Sequence, residues 1–285
     1  SDFKNLPVLE TKDVSMSEAA WRKNANRLRE LVLNGDLDNF LNWDVILATM
    51  FVPDADYINQ ELKYLKNKSD WAARWKNAIN ESSVGNPLPY KTYPKSSGTL
   101  IHHAYHIAQF EEKNNIKIND FEYVLEFGGG YGSMCRLFYN LGFKGKYVIF
   151  DIPSFSALQK YYLKSLGLPV ASNSEEFLKL KNGIYCVTNK DDLQNLVAQI
   201  KPEKSMFIAT WSVSESQLSV RNDILPLIKN FRAFLIAYQS VFEDVDNIAF
   251  FDQWKNSVMN VDWHHWPIDQ LAGSYYLTGT ASTKA

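Results

Sequence analysis

Apolar and polar positions alternate with two different periods along this chain, and the change falls near residue 98. In the first hundred residues apolar side chains recur at steps of three and four. Trp21, Ala25, Leu28 and Val32 form one such stripe, which predicts a helix. The Ser15/Glu18 pair has the spacing of a capping box at its start, and Asn34-Gly35 supplies its stop. Trp71, Trp75 and Ile79 predict another helix, beginning at Ser69 or Asp70. Glycine, proline and serine then cluster in Glu81-Ser-Ser-Val-Gly-Asn-Pro and Pro94-Lys-Ser-Ser-Gly98, where irregular backbone is expected.

Beyond this stretch, a helix over Thr99–Lys113 leads into short apolar runs alternating with helical segments. Strands are predicted at Tyr123–Phe127, Tyr147–Asp151, Ile184–Thr188, Met206–Trp211 and Phe234–Gln239. Ser133–Leu141 and Ser154–Leu166 have helical spacing; the second follows Pro153, whose fixed φ suits a first helical position, and ends at Gly167. Strand–helix alternation implies a parallel sheet covered on both faces. Val261–Trp266 and Tyr275–Thr280 read as a hairpin. The expected architecture is α/β: a Rossmann-like doubly wound sheet over 99–285, mostly parallel with a C-terminal antiparallel hairpin. A helical region over 1–98 would cap a pocket or form a dimer interface.

Composition narrows the function classes. A net charge of -2 gives no basic surplus for nucleic acid, so none is expected as a partner. Cys135 and Cys186 are the only cysteines, too few for a disulfide framework or a thiolate metal site, which favours a reducing cytoplasm. No run of eighteen apolar residues argues for a membrane partner. The first residue is Ser and not Met, which implies a processed or trimmed chain. Aromatics make up 14% of the residues; they are read first as core and second as a pocket lining.

The chemistry concentrates after the first predicted strand, in Glu126-Phe-Gly-Gly-Gly-Tyr-Gly132. Glycines let a strand–helix turn take positive φ and let a ligand approach bare backbone. The dinucleotide fingerprint needs glycine at its sixth position, where Ser133 stands, and no P-loop lysine is present. What fits is acidic-x-Gly-x-Gly-x-Gly, from Glu126 through Gly128, Gly130 and Gly132, with Gly129 inside the turn. A carboxylate at Glu126 suits an ammonium and repels a pyrophosphate. Asp151 ends the next predicted strand, where a carboxylate can accept both hydroxyls of a ribose.

These residues resemble the class I S-adenosylmethionine-dependent methyltransferases. Phe150-Asp151-Ile-Pro153 and Ala209-Thr-Trp-Ser-Val-Ser-Glu215 extend the resemblance to bacterial putative sugar O-methyltransferases, over about residues 99–285. The resemblance implies S-adenosylmethionine as cofactor and S-adenosylhomocysteine as its product. It places Gly128, Gly130 and Gly132 against the methionine part and Asp151 on the ribose. Ile152, Thr188 and Asn189 would lie by the adenine, with Thr210 completing the cofactor wall. Asn189 stands where the family usually carries an acid.

Methyl transfer to a hydroxyl is helped by a general base, for which histidine is the usual choice. All five histidines fall in two clusters. In Asp262-Trp-His-His-Trp266, His264 and His265 point to opposite faces of a strand, so one of them could enter a pocket. With Glu215, they are the catalytic candidates. His102 and His106 share a helix face at metal-site spacing, but no glutamate lies between them and no third ligand is obvious, so no metal is expected. His103, Trp211, Ser212, Tyr238 and Gln239 are candidates for holding the acceptor, while Ser214 and Gln217 also spell a capping box. The acceptor is read as a small polar molecule, a sugar or sugar nucleotide by resemblance. A phenolic or nitrogen acceptor, or a non-catalytic binder of a nucleotide-like ligand, stays open.

Overall fold

The computed structural model describes residues 6–12, 14–52 and 54–281. Helix α1 (Met16–Asn34) starts where the cap predicts: Ser15 Oγ accepts the Glu18 amide at 3.2 Å. Only half of the capping box forms, because the Glu18 carboxylate turns instead to Arg22 and Gln217. Helices α2 (Asp44–Thr49) and α3 (Tyr57–Lys66) follow. The predicted helix from Ser69 or Asp70 is instead a π turn over Trp71–Trp75, α-helical only across Lys76–Ala78. The wide turn buries Trp75, whose indole N–H meets Asp70 at 2.9 Å, while Arg74 reaches Glu111 at 2.5 and 2.6 Å. Helix α4 (Gly98–Asn114) is capped by Ser97 and closed by Asn115 in the left-handed region.

The sheet comprises β1 (Tyr123–Phe127), β2 (Lys146–Phe150), β3 (Gly183–Val187), β4 (Ser205–Thr210), β5 (Ala233–Gln239), β6 (Val261–Pro267) and β7 (Ser274–Ala281). Their order is β3-β2-β1-β4-β5-β7-β6, with the first five parallel and β7 antiparallel to both neighbours. This is the Rossmann-like doubly wound sheet expected, including the C-terminal hairpin. The apolar runs of β1, β4 and β5 are buried on both faces because helices cover both. Helices α5 (Ser133–Asn140), α6 (Pro153–Ser165), α7 (Ser174–Lys179), α8 (Lys190–Val197), α9 (Leu218–Ile224) and α10 (Asn247–Asn256) complete the chain. A two-residue ribbon, Val241–Phe242 against Val245–Asp246, joins β5 to α10.

Two apolar cores lie against the two faces. One runs from Ala25 to Tyr276 and joins the N-terminal helices to α4, α5 and α6. The other packs Phe177, Leu193, Ile224, Phe251 and Trp254 from α7 to α10. The first core passes through the 81–98 stretch without interruption: Tyr90 is buried within it. Among the described residues no helix is long and apolar enough to cross a membrane. The Ser214/Gln217 capping box does not form; Ser214 Oγ lies 2.7 Å from Trp211 O and 2.9 Å from Gln239 Oε1.

Candidate active site

The strand order reverses between β1 and β4, so a crevice opens beyond their carboxyl ends. The glycine turn leaves β1 at this point. Gly128, Gly130 and Gly132 have φ of 71°, 56° and 98°, a region that side chains disfavour. The turn is pinned by Gly128 N–H donating to Phe150 O at 2.9 Å and Gly132 N–H donating to Gly129 O at 2.8 Å. A Cβ on Gly128 would sit 2.4 Å from the Ser212 side chain, so the turns after β1 and β4 touch. Helix α5 begins directly at Ser133, whose buried hydroxyl has no partner among the described residues.

The strand expected to end at Asp151 ends at Phe150, so Asp151 is the first residue past β2; its amide still donates to Val187 O at 3.0 Å. Gln159 Nε2 donates to Asp151 Oδ2 at 2.7 Å and to Gly130 O at 2.9 Å, tying the acid to the turn. Burial pushes the Asp151 carboxyl up to about 7, against the opposing bonds from the amides of Ile152, Gly129 and Gly130 and from Gln159. Glu126 lies beneath the turn, 3% exposed, accepting from Tyr147 O–H at 2.9 Å. Burial pushes its carboxyl up to about 8.

Both acids therefore hold protons more tightly in the folded, ligand-free chain than when unfolded. Their favourable contribution is full below the unfolded carboxylate range and is lost as pH rises through about 7 and 8. The urea midpoint of the ligand-free protein is expected to fall between about pH 5 and about pH 8, and Glu126→Gln to flatten that fall. A Glu126→Gln profile parallel to the wild type would show that this carboxyl is not the source.

The remaining candidates are spread across the sheet. Ile152 precedes α6, and its amide N–H donates to Asp151 Oδ1 at 2.8 Å. Thr188 and Asn189 follow β3 and are exposed; Asn189 Oδ1 caps α8, accepting from Asp191 and Asp192 at 2.7 and 3.2 Å. Thr210 is the last residue of β4. Trp211 follows in the left-handed region at φ 62°, a strained conformation for a bulky side chain. Glu215 is half-buried, and burial raises its carboxyl.

The histidine pair of the hairpin is not brought to the glycine turn. β6 is the sheet's edge, three strands from β4, and His265 sits in mid-strand opposite Leu277. His265 Nε2 and Tyr238 O–H lie 2.8 Å apart, with Tyr238 buried in the core of the α7–α10 face. Gln239 is occupied by Ser214 and, through its carbonyl, by Asn247 Nδ2 at 2.9 Å. Two of the α4 histidines, His102 and His106, stand against Trp211 at the crevice instead. His102 stacks on Trp211 with ring centroids 5.7 Å apart and planes 28° apart. His102 Nδ1 lies 2.9 Å from both oxygens of Glu61, which is 0% exposed and also accepts from Gln270 at 2.7 Å. His106 Nδ1 meets Tyr276 O–H. His103 is partly buried, and burial with the neighbouring His102 pushes its imidazole down to about 3.

Sequence reasoning missed Glu61. Its signal lay in the stripe Ile58, Glu61, Leu62, Leu65, in which a glutamate occupies a core position of α3. A buried acid at such a position needs a partner from elsewhere in the fold.

The N-terminal region contacts the glycine turn, α4 and the loop after β5. Met50 lies 3.6 Å from where a Cβ on Gly130 would be, and Val52 N–H donates to Thr99 Oγ1 at 2.8 Å. Ser17 N–H donates to Glu243 Oε1 at 2.8 Å, so the start of α1 reaches the loop after β5.

No family model matches the chain, and no curated relative matches it. Solved structures do. The precorrin-6y C5,15-methyltransferase of Geobacter metallireducens is 11% identical at a TM-score of 0.41, covering 63% of this chain and 86% of its own. An rRNA methylase of Streptococcus thermophilus is 11% identical at 0.42, covering 64% and 95%. A glycopeptide N-methyltransferase complexed with sinefungin is 9% identical at 0.40, covering 62% and 85%. Likenesses this distant transfer no activity.

Proposed function

We propose that this chain is an S-adenosylmethionine-dependent methyltransferase that methylates a hydroxyl of a small polar acceptor, a sugar or sugar nucleotide. The observation that carries the proposal is the pairing of the three positive-φ glycines with Asp151 at the crevice between β1 and β4. Asp151 would meet a pyrophosphate with a carboxyl and can accept from ribose hydroxyls, whereas Glu126 is buried beneath the turn. Ser133 Oγ and Gln159 Oε1, buried without partners among the described residues, are further polar groups beside the turn that a ligand can satisfy. Asp151 would take the ribose hydroxyls, the glycine turn the methionine part, and Ile152 a face of the adenine.

The cofactor would supply an electrophilic methyl on a sulfonium. The protein's own contribution is alignment, which can lower such a barrier by roughly 7–11 kcal/mol. A small acceptor suits a crevice capped by the N-terminal region, a reading supported by Met50 beside Gly130 and by the Ser17–Glu243 contact. The net charge of -2 offers no basic footprint for nucleic acid. The sugar class follows the family resemblance, and the N-terminal region is read as the cap of the acceptor site.

Calorimetry with S-adenosylmethionine and, separately, with NAD tests the proposal. Binding of the first in the micromolar range or tighter, with none for NAD, is expected. Binding of NAD alone would reverse the reading of the turn.

A further inference from the structure

We infer that His102, held by Glu61, is the proton acceptor of this reaction; the inference rests on the methyltransferase reading. Four contacts and one turn of α4 close a ring around the space beyond β1 and β4. Gly130 lies under Met50; two residues on, Val52 bonds Thr99; His102 is one helical turn further along α4; His102 stacks on Trp211; and Ser212 abuts Gly128. One side of this ring is the glycine turn and the opposite side is an imidazole. An acceptor bound inside it would lie between the two.

The imidazole is set up as a base. Both Glu61 oxygens lie 2.9 Å from Nδ1, so Nδ1–H donates to the carboxylate and the lone pair is left on Nε2. Glu61 is itself fixed by Gln270 and buried in α3, so it cannot swing to solvent. Among the described residues His103 Nδ1 and His106 Nε2 are buried without partners, whereas His102 Nε2, like His103 Nε2, is not such a group. The groups facing His102 are Glu61 and Tyr57 from α3, His103 and His106 from α4, and Trp211 after β4, with Tyr276 reached through His106. Burial keeps His103 and His106 neutral, so neither opposes a charge on His102.

The step balances. The acceptor's O–H proton would pass to His102 Nε2 as its oxygen lone pair formed the bond to the methyl carbon, the carbon–sulfur pair staying on sulfur. The positive charge would leave the sulfonium and appear on the imidazolium beside Glu61. The crevice as a whole keeps its charge, so little solvent reorganisation is required. His102 is the catalytic residue of this step and Glu61 a positioning residue.

Two measurements test the inference without knowledge of the acceptor. In a crystal structure with S-adenosylmethionine, His102 Nε2 should lie about 5–7 Å from the methyl carbon, room for one oxygen at attack distance from the methyl and hydrogen-bonded to the ring. A separation beyond about 9 Å, or Trp211 standing between them, overturns it. In histidine-labelled protein, nitrogen NMR should show His102 protonated on Nδ1 and bare on Nε2, assigned with His102→Gln, and Glu61→Gln should abolish that single tautomer. An Nε2–H ring, a doubly protonated ring in the presence of cofactor, or a tautomer indifferent to Glu61→Gln overturns it. Calorimetry on the same samples separates the two levels. Wild-type protein that binds no S-adenosylmethionine overturns both readings, while a bound cofactor with His102 distant overturns this one alone.

Discussion

Asp151→Ala is expected to weaken S-adenosylmethionine binding by about 100-fold, near 2.7 kcal/mol at roughly 1.4 kcal/mol per tenfold change. A carboxylate accepting from two ribose hydroxyls makes two charge-assisted bonds, each worth about 1.5–3 kcal/mol, less the cost of desolvating the acid. That cost is real here, because burial already raises the Asp151 carboxyl to about 7 in the ligand-free chain. The variant also frees Gln159 Nε2 from one of its two acceptors and leaves it Gly130 O. The turn therefore keeps its tie to α6, and the fold should survive. Titration calorimetry of wild type, Asp151→Ala and Asp151→Asn gives the comparison, with the amide between the other two. Alanine affinity within about threefold of the wild type would remove Asp151 from the ribose site.

Arg136→Ala should destabilise the protein by about 3–5 kcal/mol, the range for breaking one side of a buried ion pair. Arg136 lies on α5, immediately after the glycine turn, and is 5% exposed. Its guanidinium pairs with Glu81, donates to Tyr162 O–H at 3.1 Å and to Asn80 O at 2.7 Å. Glu81 in turn accepts from Ser97 Oγ at 2.5 Å, and Ser97 caps α4. One side chain thus ties the irregular 81–98 stretch to the helix that opens the cofactor turn and, through Ser97, to the helix carrying His102. Removing it leaves the Glu81 carboxylate, with a side chain only 11% exposed, without its cation. Arg136→Lys should recover only part of the loss, since an ammonium cannot reproduce the planar fork. Urea unfolding with the slope held in view measures this; a cost under about 1 kcal/mol would mean the N-terminal region is anchored elsewhere.

Much of the sheet was legible because parallel strands buried on both faces read as short apolar runs. β1 fell on its predicted residues; β2, β3 and β4 each lie one residue earlier than expected, and β5 starts one residue earlier and ends where expected. The π turn at Trp71–Trp75 was not legible: its cause is the burial of Trp75 and the reach of Arg74 to Glu111, both set by α4.

By itself the sequence determined the order of strands and helices, the antiparallel tail and the glycine turn with its two acids. Each of these is a local matter: periodicity decides the element, and positive φ at Gly128, Gly130 and Gly132 demands glycine at those positions. Which histidine faces the crevice was decided only by tertiary structure. The Trp-His-His-Trp segment has the more suggestive composition, yet strand order sends it to the sheet edge, while packing of α3 on α4 brings Glu61 from 41 residues away to His102. Proximity of that kind is a property of how elements stack. No period or motif within either segment encodes it.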